Sequence, residues 1–264
     1  MTTRPRGLAV ALDEVTAEYF ADQPILDGLS LHAPAGKISV IIGPNGSGKS
    51  TALRVLAGFL RPSRGEVWLI DGSSRTSIGA GPPHLRSGMG IGFVPQGHSV
   101  FPAMSVQDNL LVGAWPIRRE RRRARRTIQE LLDRYPVLAD KRGAPAGSLS
   151  GGQQRILELA RALVPDPAVV LVDEPSAGVA PAVAATMYQE LEALRDEGRT
   201  VVLVDQDLRP ALAIADVVHV LQSGRCVSSG TSRELGADLD ALVRSWLSPG
   251  GDAPSARAAR GGAS

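Results

Sequence analysis

Cysteine is almost missing from this sequence: Cys226 is the single example in 264 residues. A lone thiol excludes an internal disulfide framework and supplies no CxxC or mixed Cys/His metal site. That fits a reducing compartment, and the residue itself is expected to be half-buried on a strand. Long apolar runs are missing too. No stretch approaches the roughly 20 residues that a membrane-spanning helix needs, and the opening MTTRPRGLAVALDE has no apolar core of the kind that marks a secretory signal. Any role at a membrane is therefore expected to come through a partner. Internal repeats and heptads are also lacking. A strong overall charge is absent, the formal net being +2. One local exception is the run RRERRRARR at 118–126, whose seven arginines and one glutamate contribute +6 and leave the remainder near −4. Such a balance argues against a wholly basic surface that tracks a nucleic-acid backbone.

What is present is 43% hydrophobic content, enough for one substantial core. Two segments, LAVALDEVTAEYF and GEVWLIDG (65–72), read as half-buried strands of an antiparallel sheet near the N-terminus. Three short β-branched runs differ: SVII (39–42), VVLV (169–172) and VVLV (201–204) contain no polar break. Strands of that kind suit burial on both faces, as in a parallel sheet flanked by helices. Between the first and second of them, roughly 98–165 carries helical patterning in MSVQDNLLVGAW, RRARRTIQELLDRY and RILELARALV, and reads as a mainly helical insertion. The Gly/Pro/Ser-rich stretch 73–92 reads as a flexible connection to a strand at IGFVP. The last residues, 248–264, cannot bury enough apolar surface to offset ordering and are expected to form a disordered tail.

The strongest chemical signal is GxxxxGK[ST], spelled by Gly43, Pro44, Asn45, Gly46, Ser47, Gly48, Lys49 and Ser50, with Thr51 following. It stands after a buried strand and before the helical TALRVLAGFL. Glycines allow the backbone to curl so that N–H groups face a β-phosphate, a helix N-terminus adds its positive end, Lys49 neutralises β/γ oxygens, and Ser50 ligates magnesium. The pattern predicts a nucleoside-triphosphate site. At the end of the second buried run, Asp173 is placed to hold magnesium through water and Glu174 to polarise an attacking water. Two acids there without the phosphate loop would read as a solvated strand end. A third element, Leu149-Ser150-Gly151-Gly152-Gln153-Gln154, directly precedes a helix. Ser150 can cap that helix while Gly151 and Gly152 expose N–H groups at its positive end, an anion site without a lysine.

LSGGQ at this distance before an Asp-Glu pair resembles the signature of the ABC (ATP-binding cassette) ATPases, and the resemblance spans about 7–247. It implies an α/β P-loop NTPase cassette with a mainly parallel core sheet, an antiparallel β subdomain and a helical insertion, hydrolysing ATP with Mg2+. It further implies a head-to-tail pair of cassettes, identical or homologous, in which Ser150, Gly151, Gly152 and Gln153 serve the nucleotide on the facing subunit's phosphate loop. Tyr19 stands where the family stacks an aromatic on adenine, although an aromatic near a strand end is as often a core residue. Gln96, in GFVPQG, corresponds to a glutamine that reaches magnesium and the attacking water, at the entry to the insertion that couples to the transmembrane partner.

Departures narrow the resemblance. Gln206 stands where most of the family has a switch histidine against the γ-phosphate; an amide can donate to phosphate but cannot carry charge or shuttle a proton. Ala180 replaces an aspartate that communicates across the dimer. Both changes are similar to the ATPase subunits of branched-chain amino-acid importers and their urea and amide relatives, although Gln153 replaces the glutamate usual in the importer string. The expected setting is peripheral, on the cytoplasmic face of the membrane, with a separate permease and an extracytoplasmic solute-binding protein as partners and no nucleic acid. Alternatives are an exporter's ATPase, or a soluble ABC ATPase acting on DNA or ribosomes; those soluble proteins generally carry two cassettes or a coiled-coil insertion, which this sequence lacks. The arginine run stays open between a solvated helix face, a contact with anionic lipid headgroups and, more weakly, nucleic acid.

Overall fold

A computed structural model describes residues 7–97 and 99–236. The expected tail at 248–264 and the last stretch of the expected domain fall outside the described residues. Ten strands and eight α-helices run along the described chain, four of the helices in succession between the sixth and seventh strands. The strands are β1 (Ala9–Glu18), β2 (Pro24–Ala33), β3 (Ile38–Ile42), β4 (Arg64–Asp71), β5 (Ser74–Ser77), β6 (Ile91–Val94), β7 (Val169–Asp173), β8 (Thr200–Val204), β9 (Val217–Gln222) and β10 (Arg225–Gly230). The helices are α1 (Lys49–Ala57), α2 (Pro83–Gly88), α3 (Val106–Gly113), α4 (Arg121–Arg134), α5 (Pro136–Ala139), α6 (Gly151–Leu163), α7 (Pro181–Asp196) and α8 (Leu208–Ala213).

Two sheets form. The larger, ordered β10-β9-β3-β8-β7-β6, is parallel except for its antiparallel edge β10. Its inner members β3, β8 and β7 carry the three β-branched runs, and every residue in them, Ser39, Thr200 and Asp173 included, is buried. Successive side chains of a strand point to opposite faces, and the two faces meet different partners. Ile38, Val40 and Ile42 pack with Val170, Val172 and Leu203 beneath helices α3, α4, α6 and α7, whereas Ile41, Val169, Leu171, Val202 and Val204 join Leu53 and Leu56 of α1. The smaller sheet, β2-β1-β4-β5, is antiparallel and closes over the other side of α1, so that helix is sandwiched between two sheets. Fully burying a leucine contributes about 1.5–3 kcal/mol. Leu53 and Leu56 therefore fix the helix that carries the phosphate loop.

The stretch 73–92 is more ordered than its composition implies. Ser74–Ser77 pairs antiparallel with Trp68–Asp71, and α2 follows with Pro83 at its start. Arg86 gives the reason. Its guanidinium is buried and donates through Nη1 to the carbonyls of Val55 (3.1 Å) and Leu56 (2.6 Å) in the last turn of α1. Burial lowers its pKa to about 10. Gly58, in the left-handed region at φ 81°, ends α1 by returning its N–H to Arg54 and Val55.

Candidate nucleotide site

The phosphate loop joins β3 to α1. Two of its glycines are required by space as well as by dihedral. A Cβ on Gly43 would lie 2.2 Å from the Leu221 carbonyl oxygen, and one on Gly48, which starts α1 at φ 100°, would lie 2.7 Å from Leu26 Cδ2. Lys49 is buried and its Nζ donates to the carbonyls of Gly43 (2.8 Å) and Pro44 (3.0 Å). Burial pulls its pKa below the usual lysine value, opposed by the charges of Glu174 and Asp173. One residue on, Ser50 Oγ donates to Asp173 Oδ1 at 3.0 Å. Burial raises the Asp173 pKa, the Ser50 hydrogen bond works against that, and Glu174 adds to it. Two carboxylates at the mouth of β7 and the Ser50 hydroxyl of α1 form a hard-oxygen set. Such a set fits Mg2+, which takes one or two carboxylates and completes its shell from phosphate and water.

Glu174 sits at φ 50°, a left-handed conformation that costs of order 1–3 kcal/mol in a non-glycine residue and persists only when its surroundings demand it. The demand is visible. Its N–H donates to the Val204 carbonyl at 2.7 Å, and its Oε2 accepts from Gln96 Nε2 (2.5 Å) and Gln206 Nε2 (2.8 Å). Gln96 and Gln206 stand 110 positions apart in the sequence, at the ends of β6 and β8, yet they converge on one carboxylate oxygen of the residue after β7. Gln96 thus meets Glu174 directly, and Ser50 meets Asp173 beside it.

Tyr19 follows β1 and is 45% exposed, so it is no core residue; its hydroxyl accepts from Arg54 Nη1 of α1 at 2.9 Å. A partly exposed ring beside the phosphate-loop helix is compatible with stacking on a base. The Ser150–Gln153 segment caps α6. Ser150 Oγ accepts from the Gln153 N–H at 3.4 Å and the Gln153 carboxamide oxygen accepts from the Ser150 N–H at 3.1 Å, a reciprocal capping box that Lys141 Nζ reinforces at 3.1 Å. Gln153 therefore has a local structural use. Gly152 is forced by packing, since a Cβ there would lie 2.6 Å from Val183 Cγ2, whereas Gly151 faces open space. Among the described residues, no hydrogen bond connects this segment with the Lys49–Asp173–Glu174 group.

Two connecting devices escaped the sequence reading. Asp205 is buried after β8 and accepts from Ser176 Oγ (2.5 Å), Tyr188 OH (2.9 Å) and the Gln206 N–H (2.7 Å). It ties the loop after Glu174 to the loop carrying Gln206, and an acid directly after a fully buried strand was the available signal. Arg155 of α6 is buried with Glu158 at 2.9 Å, and also donates to the carbonyls of Gly97 (2.7 Å) and Ala177 (3.2 Å). It binds the capped helix to the loops following Gln96 and Glu174, and nothing in its spacing announced that. At Ala180, α7 begins without a side-chain cap and relies on Pro181 at its first position.

The family model described as ABC transporter matches residues 26–177. The probable branched-chain amino acid transport ATP-binding protein LivF of Archaeoglobus fulgidus is 38% identical over 199 residues, covering 75% of this chain and 82% of that protein. The Nod factor export ATP-binding protein I of Rhizobium meliloti is 35% identical over 234 residues, 87% of this chain and 67% of its own. Among solved structures, the ADP conformation of MJ1267, an ATP-binding cassette of an ABC transporter, superposes with TM-score 0.77 at 28% identity, covering 90% of this chain and 97% of that one.

Proposed function

The chain belongs to the family of ABC transporter ATP-binding subunits, which are ATPases, and from that premise we propose that it hydrolyses Mg-ATP in a head-to-tail pair of cassettes to power import through a separate permease. The observation that carries the catalytic part is the convergence of Gln96 and Gln206 on Glu174, beside the Ser50–Asp173 pair. The phosphate loop 43–51 cradles the phosphates and Lys49 neutralises the β/γ oxygens. Ser50 and Asp173 would hold the magnesium, which supplies charge compensation at the transferred phosphoryl group. Glu174 accepts a proton from the attacking water, and the two amides fix its carboxylate in one orientation. Gln206 doubles as the γ-phosphate sensor, while Tyr19 stacks on the adenine. Ser150, Gly151 and Gly152 of the facing cassette close over the γ-phosphate, with Gln153 holding their turn in shape.

A membrane partner is supported by an apolar cleft of about 590 Å³ lined by Phe59, Phe93, Val112, Trp115 and Pro165, with Phe59 and Trp115 largely exposed at its mouth. A short helical segment of a permease fits a groove of that character. No helix among the described residues is long and apolar enough to cross a membrane, and the proposed setting is the cytoplasmic face beside that partner. The Archaeoglobus relative, together with Gln206 and the loop at Ala180, favours branched-chain amino acids or related small solutes, delivered by a solute-binding protein. The similarity to a Nod factor export protein favours export as the second reading.

Replacing Glu174 with Gln tests the mechanism. ATP binding persists, turnover falls by roughly 10²–10⁴-fold, and an ATP-bound dimer accumulates on size-exclusion chromatography. Undiminished turnover would overturn the role of Glu174. Affinity purification from detergent-solubilised membranes tests the setting, with recovery of a multi-spanning permease expected; ribosomes or DNA in its place would sink the transport reading.

A further inference from the structure

The arginine run has no structural use that accounts for it. Helix α4 packs through Ala124, Thr127, Ile128, Leu131 and Leu132, leaving the arginines off its buried face. Two find carboxylates: Arg123 with Glu120 at 3.3 Å and Arg126 with Glu130 at 3.7 Å. Arg118, Arg119, Arg121, Arg122 and Arg125 are exposed and have no acidic partner among the described residues. Their position is electrostatically unfavourable. The first turn of α4 holds no acid, so cations crowd the positive end of the helix dipole. Within α4, Arg121 and Arg125, and Arg122 and Arg126, repel at the four-residue spacing. A solvated helix face needs none of this, and glutamate or glutamine would stabilise the helix better.

The run also has a fixed neighbour. Arg118 lies over the Trp115 ring at 4.7 Å and donates to the Trp115 carbonyl at 3.0 Å, and that indole is 64% exposed at the lip of the apolar cleft. Arg123 reaches across to the carbonyl of Pro165, another lining residue, at 3.1 Å. An exposed indole beside unpaired arginines is the side-chain pairing that suits a bilayer surface, where the ring enters the headgroup level and the guanidinium groups meet phosphate. Nucleic acid would need a longer basic track, and the rest of the chain is net negative.

We propose that Trp115 with Arg118, Arg119, Arg121, Arg122 and Arg125 forms a contact surface for anionic phospholipid headgroups, holding the subunit against the bilayer beside its cleft. Only the placement next to a permease rests on the transport reading. Headgroup binding needs no permease, so the two fail separately.

The test is flotation of the purified full-length chain with vesicles of phosphatidylcholine alone or with about a third phosphatidylglycerol, at low and high salt. The chain is expected to bind the anionic vesicles on the order of 100-fold more strongly. High salt should abolish that preference. Replacing the five arginines together with glutamine removes it while leaving basal ATPase activity unchanged and thermal stability equal or higher, since the replaced charges oppose the helix dipole. Trp115→Ala lowers the affinity and keeps the salt dependence. Equal binding to both vesicles overturns the proposal, as does a glutamine variant that still prefers the anionic ones. Tighter binding to a DNA duplex than to the anionic vesicles reassigns the surface and overturns it too.

Discussion

His219 lies buried on β9, directly across from Ile41 of the strand that feeds the phosphate loop, with Nδ1 2.8 Å from Ser229 Oγ. Burial pulls its imidazole from 6.5 down to about 4. The folded protein therefore holds this histidine neutral, whereas the unfolded chain takes up a proton below 6.5. Because the depressed group binds protons more readily when unfolded, stability falls as pH drops through the window from 6.5 to 4 and levels off beneath it. The interval of 2.5 pH units, the difference between those two values, corresponds to about 3 kcal/mol in full, of which about 2 kcal/mol is lost between pH 7 and pH 5. For a chain of this size that amounts to roughly 4–8 °C in Tm. The assay is urea denaturation of the wild type and of His219→Gln at both pH values. Glutamine keeps a polar partner for Ser229 and cannot titrate, and the carboxylates contribute alike to both proteins. The wild type should lose about 2 kcal/mol more than the variant on acidification. Equal losses, within about 0.5 kcal/mol, would refute the reasoning.

Other consequences are local to the site. Gln206→Ala removes one of two amides on Glu174 and should slow hydrolysis roughly 10- to 100-fold, from the about 1.5–3 kcal/mol that a hydrogen bond to a charged group carries. Gln206→His should be tolerated; an unchanged rate in the alanine variant removes Gln206 from the site. Tyr188→Phe deletes the hydroxyl that donates to buried Asp205 and should cost about 1–2 kcal/mol in urea, and Asp205→Ala, which strands Ser176 and Tyr188, about 2–4 kcal/mol with slower turnover. Matching midpoints for all three proteins would show that Asp205 is not a tie between the two loops. Gly152→Ala forces a Cβ against Val183 and should destabilise by about 1–3 kcal/mol, with recovery when Val183→Ala is added. Gly151→Ala should melt like the wild type while impairing ATP-induced pairing, a contrast that vanishes if Gly151 plays no part across the dimer.

Much of the fold was legible because its signals are local. Unbroken β-branched runs identified β3, β7 and β8 as strands buried on both faces, and alternation marked β1 and β4. The phosphate loop and the capping segment are contiguous strings whose glycines act through their own backbone. Strand β5 and helix α2 were hidden, since their order comes from pairing with β4 and from the buried Arg86 at the end of α1, neither visible in a Gly/Pro-rich composition. Arg155 and Asp205 were hidden for the same reason, because their partners lie on other loops.

The residue types that carry the chemistry stand in plain strings: a lysine and glycines for phosphate, an Asp-Glu pair after a buried strand, a serine-capped helix, and two glutamines whose meaning depended on resemblance. Folding adds that Gln96 and Gln206 share one oxygen of Glu174, and that the Glu174 N–H meets the Val204 carbonyl from a left-handed backbone. The physical reason is that parallel strands bring the ends of β6, β7 and β8 to one edge of the sheet, where residues far apart in the chain come within hydrogen-bonding distance.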